Sequence, residues 1–141
     1  MPAIHIRAAE PQDMPTIRLL AEAYALDTEH LEAEQFLVAE EEDQLVGFGR
    51  LKPYQDAVEL GCLGVLPECR GGGVARQLVE RLLSRVQGEV YVTTDLPELG
   101  RKLGFVEVEE APASILEKVK RFEGHRRKGI VIMRLNPQRS R

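Results

Sequence analysis

Leu63-Gly64-Val65-Leu66-Pro67-Glu68-Cys69-Arg70-Gly71-Gly72-Gly73-Val74-Ala75-Arg76 carries a strand-like run through three consecutive glycines and directly into a helix-like run. Downstream, the apolar residues Val74, Leu78, Leu82 and Val86 recur every four positions, and Val79 and Leu83 widen the stripe. Arg76, Glu80, Arg81 and Arg85 take the opposite side, so the spacing predicts an amphipathic helix over Val74–Val86. Glycines let a chain bend sharply and approach a ligand with no Cβ in the way. The first turn of a helix leaves several N–H groups without partners, and with the helix dipole they form an anion site, most often for phosphate. The bland alternative is a flexible turn. A P-loop is excluded, because it needs Gly-Lys-Ser/Thr where the chain has Gly73-Val74-Ala75. A dinucleotide fingerprint on Gly71 and Gly73 would need a small residue where Arg76 stands.

Outward from this junction the chain alternates between periods of two and of about 3.6 residues. Strands are predicted at Ile4–Ala8, Phe36–Glu40, Leu45–Leu51, Ala57–Val65, Val90–Thr94, Phe105–Val108 and Ile130–Leu135. The acidic turn Glu41-Glu42-Asp43-Gln44 joins the second and third. Asp13 reads as the N-cap of a first helix, with Pro15 in its opening turn and Ile17, Leu20, Ala23 and Tyr24 at helical spacing. A short helix spans Leu96–Leu103, where Gly104 ends it, and Ser114–Phe122 forms another. This order predicts an α/β layer fold with a mixed sheet.

The length of 141 residues predicts one domain, residues 1–136, followed by a frayed basic tail over 137–141. Hydrophobic residues make up 43% and charged residues 30%, enough for one core with a soluble surface. The formal charge of −4 argues against a nucleic-acid partner. No apolar run approaches the roughly 20 residues of a membrane span, and MPAIHIRAAE is not a signal peptide, so no membrane partner and a cytoplasmic location are expected. Cys62 and Cys69 do not make a disulfide framework. Scarce amides, with Asn136 the only Asn, resemble the bias of heat-adapted proteins.

Arg70-Gly71-Gly72-Gly73-Val74-Ala75 fits the Arg/Gln-x-x-Gly-x-Gly/Ala signature of the GNAT N-acetyltransferase superfamily, which the chain resembles over nearly its whole length. Ile6-Arg7-Ala8-Ala9 with Asp13 is similar to that family's opening strand and helix. Gly47 stands in the hairpin strand where Val-Gly is common, Leu63-Gly64-Val65 with Pro67 resembles Leu-x-Val-x-Pro, and Leu103-Gly104-Phe105 resembles a late Leu-Gly-Phe. Val92-Thr93-Thr94, nine residues ahead of that last motif, is similar to the amino-acid N-acetyltransferase branch, which includes N-acetylglutamate synthases.

The resemblance implies a mixed, mostly antiparallel sheet flanked by helices in a single domain, and acetyl-CoA as cosubstrate, without a metal. The amides of Arg70, Gly71, Gly72, Gly73, Val74 and Ala75 would take its pyrophosphate, and Leu63, Gly64 and Val65 would pair with its pantetheine arm like an extra strand. It also implies transfer of acetyl to the primary amine of a small molecule or amino acid. Glu59, six residues before Val65, stands in the register of a catalytic glutamate and is the candidate base, acting through water. The alternative is a Glu facing solvent or paired with Lys or Arg. Where many members carry a Tyr general acid, this chain has Gly100, which leaves Tyr24, Tyr54, Tyr91 or an unassisted thiolate. A non-catalytic acyl-CoA-binding module is the rival reading, and a homodimer is left open. His5, His30 and His125 lack metal-ligand spacing and read as surface residues. Cys62 reads as a small core residue, and Cys69 as reactive only if the helix end acidifies it. His125-Arg126-Arg127-Lys128 reads as a solvated turn, or as a partner for an acidic substrate or the CoA 3′-phosphate.

Overall fold

A computed structural model describes residues 3–125 and 129–136. The strands are β1 (His5–Ala8), β2 (Phe36–Glu41), β3 (Gln44–Pro53), β4 (Val58–Val65), β5 (Val90–Thr94), β6 (Val106–Val108) and β7 (Val131–Leu135). The helices are α1 (Met14–Ala23), α2 (Val74–Leu83), α3 (Pro97–Lys102) and α4 (Ala113–His125). Hydrogen bonding orders the strands β1-β2-β3-β4-β5-β7-β6. β1 with β2, β2 with β3, β5 with β7 and β6 with β7 run antiparallel, whereas β4 and β5 run parallel. The fold is therefore the α/β arrangement expected, a mixed and mostly antiparallel sheet with helices. Two compact units are distinguishable: residues up to Leu51 with Leu60–Ser84, and Lys52–Glu59 with the residues from Arg85 on.

In the first unit, alternation along the strands sends side chains to two faces. Phe36 and Val38 of β2, Phe48 of β3 and Cys62 of β4 pack with Ile17 and Ala21 of α1. On α2, Val74, Leu78, Val79 and Leu82 are buried. A Cβ at Gly47 would lie 2.9 Å from Val74 Cγ1 and 3.3 Å from Leu78 Cδ1, so its absence lets α2 lie close to β3. The helix stops at Leu83, short of the expected Val86.

The start of α1 differs from expectation. A 3-10 turn, Pro11–Asp13, precedes the helix, and Asp13 makes no side-chain cap to it. Its carboxylate instead accepts from Arg7 Nη1 at 2.8 Å, Arg7 Nη2 at 3.0 Å and the Glu10 amide at 2.7 Å. Arg7 also pairs with Glu40 of β2 at 3.1 Å. The Arg7 guanidinium holds the Asp13 carboxyl below the usual carboxylate range. A guanidinium with two parallel N–H groups outcompetes single helix amides for the same oxygens.

Arg50 of β3 is 1% exposed, the largest fully buried side chain described. It donates to the carbonyls of Glu29 at 2.9 Å and His30 at 3.0 Å, and to Gln35 Oε1 at 2.9 Å. It also pairs with Asp27 Oδ2 at 3.2 Å and stacks on the Phe36 ring. Arg50 thus gathers the connection from α1 to β2, in which Ala25 (φ 56°) and His30 (φ 53°) are left-handed and Leu26 and Leu31 pack against the core.

In the second unit, Tyr91, Ile115 and Ile132 form a core with Tyr54, Ala57, Val108 and Val119 around it. α3 ends at Gly104 (φ 97°), where the Phe105 amide reaches the Gly100 carbonyl at 2.9 Å. Asp56, in the turn between β3 and β4, accepts the Ser114 amide at the start of α4 at 3.1 Å. The expected tail over 137–141 lies outside the described residues, as do Arg126, Arg127, Lys128 and the His125 side chain.

Arg50→Met should destabilise the protein by about 3–5 kcal/mol, because Asp27 and several carbonyls lose a buried cation. Urea unfolding checks this; a loss under about 1 kcal/mol would show that the 25–35 segment holds itself without the ion pair.

Candidate active site

β4 leads into the glycine junction through a bend of its own. Cys62, in mid-strand, adopts φ 47°, a left-handed value that departs from the pleat. Its side chain is 5% exposed and lies in the α1 core, as a small apolar residue would. The strand end is pinned: the Leu66 amide donates to the Val46 carbonyl at 2.9 Å, and Arg70 Nε donates to the Val65 carbonyl at 2.9 Å. The Arg70 guanidinium also stacks on the Tyr24 ring, 5.0 Å from its centre. A 3-10 turn, Pro67–Cys69, then delivers the chain to the glycines.

Gly71 (φ 85°) and Gly73 (φ 86°) are both left-handed, a conformation costing other residues about 1–2 kcal/mol. Gly73 is the N-cap of α2, and the helix carries no side-chain cap. Arg70, Gly71, Gly72 and Gly73 are exposed, Val74 is buried and Ala75 half-buried. The first-turn amides thus open beside an exposed glycine arc, the geometry of an anion cradle. Leu63 is half-buried, while Gly64 and Val65 are buried.

Glu59, at the start of β4, is 2% exposed. Its Oε1 accepts the Tyr54 hydroxyl at 2.9 Å. Its Oε2 accepts Thr93 Oγ1 of β5 at 2.7 Å and the Lys118 ammonium of α4 at 2.6 Å. Lys118 is itself 3% exposed, and its ammonium lies 5.1 Å from the Phe122 ring centre. The buried Lys52 places its ammonium 5.4 Å from the centre of the Tyr54 ring. An isolated buried carboxylate is prohibitively costly, so these donors are what allow a charge to sit here. Glu59 therefore does not face solvent, and it does pair with a lysine.

A model of the acetyltransferase (GNAT) family matches residues 5–105, which include β1, the glycine junction and the Leu103-Gly104-Phe105 motif. The chain belongs to the GNAT family. It is 39% identical over 92 residues to the amino-acid acetyltransferase of Pseudomonas putida strain GB-1, and 38% identical over 92 residues to that of Pseudomonas aeruginosa strain PAO1. Each match covers 59% of this chain and 21% of the relative, so the chain spans about a fifth of those proteins. In fold it is similar to N-acetylglutamate synthase from Neisseria gonorrhoeae, complexed with coenzyme A and N-acetyl-glutamate. There the TM-score is 0.80 with 21% identity, over 96% of this chain and 35% of that one. Rv2747 from Mycobacterium tuberculosis, in complex with CoA and a second ligand, matches with a TM-score of 0.77 and 25% identity, over 94% and 98% of the two chains.

Gly100 is closed to any side chain in this GNAT domain: an added Cβ would meet Met133 Sδ at 2.5 Å, and Met133 is fully buried. Of the three tyrosines, Tyr24 lies against Arg70, and Tyr91 is buried with its hydroxyl 3.5 Å from Glu89 Oε1. Tyr54 alone among them is hydrogen-bonded to Glu59. Thr93 and Lys118 escaped sequence reasoning, because they lie 34 and 59 residues from Glu59 and no spacing links such positions.

Among the described residues no group of His, Cys, Asp and Glu is arranged to hold a metal. Nor is any helix among them long and apolar enough to cross a membrane. The Cys69 thiol is pushed above its ordinary range by burial, then by the charges of Glu41 and Glu68, and the proposed acidification by the helix end is not found. Thiolate is the reactive form. Cys69 should therefore alkylate with iodoacetamide at pH 8 several-fold more slowly than a cysteine in a short peptide. Equal rates would place the thiolate fraction at the ordinary value.

Proposed function

We propose that this chain is an acetyl-CoA-dependent N-acetyltransferase acting on the primary amine of an amino acid or similar small molecule. The observation that carries the reading is the strand-to-helix junction, where left-handed Gly71 and Gly73 open onto an α2 N-terminus that no side chain caps. The amides of Gly71, Gly72, Gly73, Val74 and Ala75 cradle the pyrophosphate of acetyl-CoA, whereas the expected Arg70 amide is spent on the Pro67 carbonyl at 3.3 Å. The main chain of Leu63, Gly64 and Val65 pairs with the pantetheine arm as an added strand. The amino-acid acetyltransferase relatives support an amino-acid acceptor.

An alkyl amine is mostly protonated at neutral pH and must lose a proton to attack a thioester. Glu59 is the proposed base. Its ion pair with Lys118 and its bonds from Thr93 and Tyr54 hold it in one orientation. The rival reading, a CoA-binding module without chemistry, is favoured by the closed position at Gly100. CoA release during incubation with an amino-acid and amine panel separates the two.

CoA and acetyl-CoA should raise the melting temperature by mass action, by about 2.7 kcal/mol of stabilisation at a hundred times Kd. No shift and no calorimetric heat at millimolar CoA would sink the family-based reading of the loop. Gly73→Val should weaken CoA at least about tenfold, because its left-handed strain is relieved by moving the loop out of the cradle geometry. Equal affinity in the variant would reduce the loop to a turn.

Glu59→Gln should lower kcat/KM by about 10²–10⁴ at neutral pH for a lysine-like acceptor amine and only mildly for an α-amine, which is already partly unprotonated. Activity should recover as pH rises toward the acceptor's pKa, where solvent removes the proton instead. Superimposed pH profiles of wild type and variant, with unchanged CoA affinity, would remove Glu59 from the mechanism.

A further inference from the structure

The enclosure of Glu59 raises a problem that its role as base must solve. At 2% exposure, its carboxylate has no room to meet an acceptor amine directly. A proton reaches it only through a group that touches both the carboxylate and the outside. Two hydroxyls in the cluster fit, those of Tyr54 and Thr93, and both residues are only half-buried. They are not equivalent. Thr93 meets Oε2, which also faces the Lys118 ammonium at 2.6 Å, so a proton arriving there meets a cation. Tyr54 meets the other oxygen, Oε1, at 2.9 Å. A phenol is also far more acidic than an aliphatic alcohol, and its oxygen accepts one proton while it donates another.

We infer that Tyr54 is the proton-carrying residue of this site, exchanging protons between the reacting atoms and Glu59 Oε1, while Lys118 and Thr93 position the carboxylate from its other oxygen. The inference deepens the reading above and rests on Glu59 being its base. The Tyr54 ring is placed by the hairpin itself, whose Tyr54 amide bonds to the Ala57 carbonyl at 2.8 Å, and by the Lys52 ammonium over its face. Among the described residues, the charged groups at the phenol include Glu59, Lys52 and, across the carboxylate, Lys118.

The step balances without another reactant. An ammonium proton of the acceptor passes to the Tyr54 oxygen as the Tyr54 proton passes to Glu59 Oε1. The freed lone pair bonds to the thioester carbonyl carbon, the carbonyl π pair moves onto oxygen, and the second surplus proton on nitrogen leaves to solvent. The oxygen pair then re-forms the carbonyl, and the carbon–sulfur bond breaks with its pair on sulfur. The proton returns from Glu59 through Tyr54 to the thiolate. The products are the amide and the CoA thiol, with both residues restored. One relay thus serves as base and then as acid.

The test uses the full chain with Tyr54→Phe, Glu59→Gln and the double variant. Acetyl transfer is followed with L-glutamate and a panel of other amino acids and amines, and acetyl-CoA hydrolysis without an acceptor. Tyr54→Phe should lower kcat about 10²-fold while KM for acetyl-CoA stays put and Tm falls only as far as one lost buried hydrogen bond accounts for. The double variant should be no slower than the worse single variant, as expected of residues acting in series. Incorporating 3-fluorotyrosine at position 54 should move the alkaline limb of kcat to lower pH, which a packing role would not do.

If Glu59→Gln is slow and Tyr54→Phe stays within about twofold of wild type, or the two losses multiply, the relay is wrong and Glu59 stands. If both variants match wild type, the Glu59 assignment fails and the relay with it. A wild-type chain that binds CoA yet neither transfers nor hydrolyses acetyl overturns the acyl-transfer reading and this inference together.

Discussion

A carboxylate enclosed on all sides must be met by donors, and the second compact unit is organised around meeting Glu59. The donors come from three separate places: Tyr54 from the turn after β3, Thr93 from β5 and Lys118 from α4. The cost of leaving a buried charge unpaired couples these segments to one another. Asp56 reinforces the tie by accepting the first-turn amide of α4 at Ser114, so the same turn caps the helix that supplies the lysine. Apolar packing by Tyr91, Ile115 and Ile132 then encloses the charge. A buried charged cluster gives up stability relative to an apolar one.

The first unit contains the opposite case, a buried cation. Arg50 has a rigid planar fork, and carbonyl oxygens, an amide oxygen and the Asp27 carboxylate surround it. A lysine would offer a point charge and could not reach these acceptors at once. The consequence is a connection between α1 and β2 tied at several acceptors to one cation, with Ala25 and His30 in left-handed conformations there. Such conformations persist only when the surroundings over-determine them.

The glycine junction depends on main chain rather than side chains. Two left-handed residues and an uncapped helix start leave the first-turn amides of α2 open, and Arg70 turns its side chain away to the Val65 carbonyl and the Tyr24 ring. The signature arginine therefore braces the strand end and the end of α1. Its amide is spent on the Pro67 carbonyl at 3.3 Å.

The sequence alone determined whatever local periodicity and backbone restriction control. The strand alternation of Phe36–Glu41, the four-residue stripe of α2 and the three glycines between β4 and α2 were legible because each is written within a dozen neighbouring residues. Element ends were less legible, as at α2 and at the 3-10 turns, because the last turns are settled by local competition for hydrogen bonds. Asp13 shows the same limit: a cap by type, it was taken by Arg7, whose reach depends on β1 lying beside it. At the candidate site, Glu59 was legible from its distance to Val65, but its surroundings were not. Only the tertiary structure decided that this carboxylate is enclosed, that Lys118 compensates it and that Tyr54 is the tyrosine it holds. The physical reason is that a buried charge recruits partners by position in space, and positions 59 residues apart share no pattern along the chain.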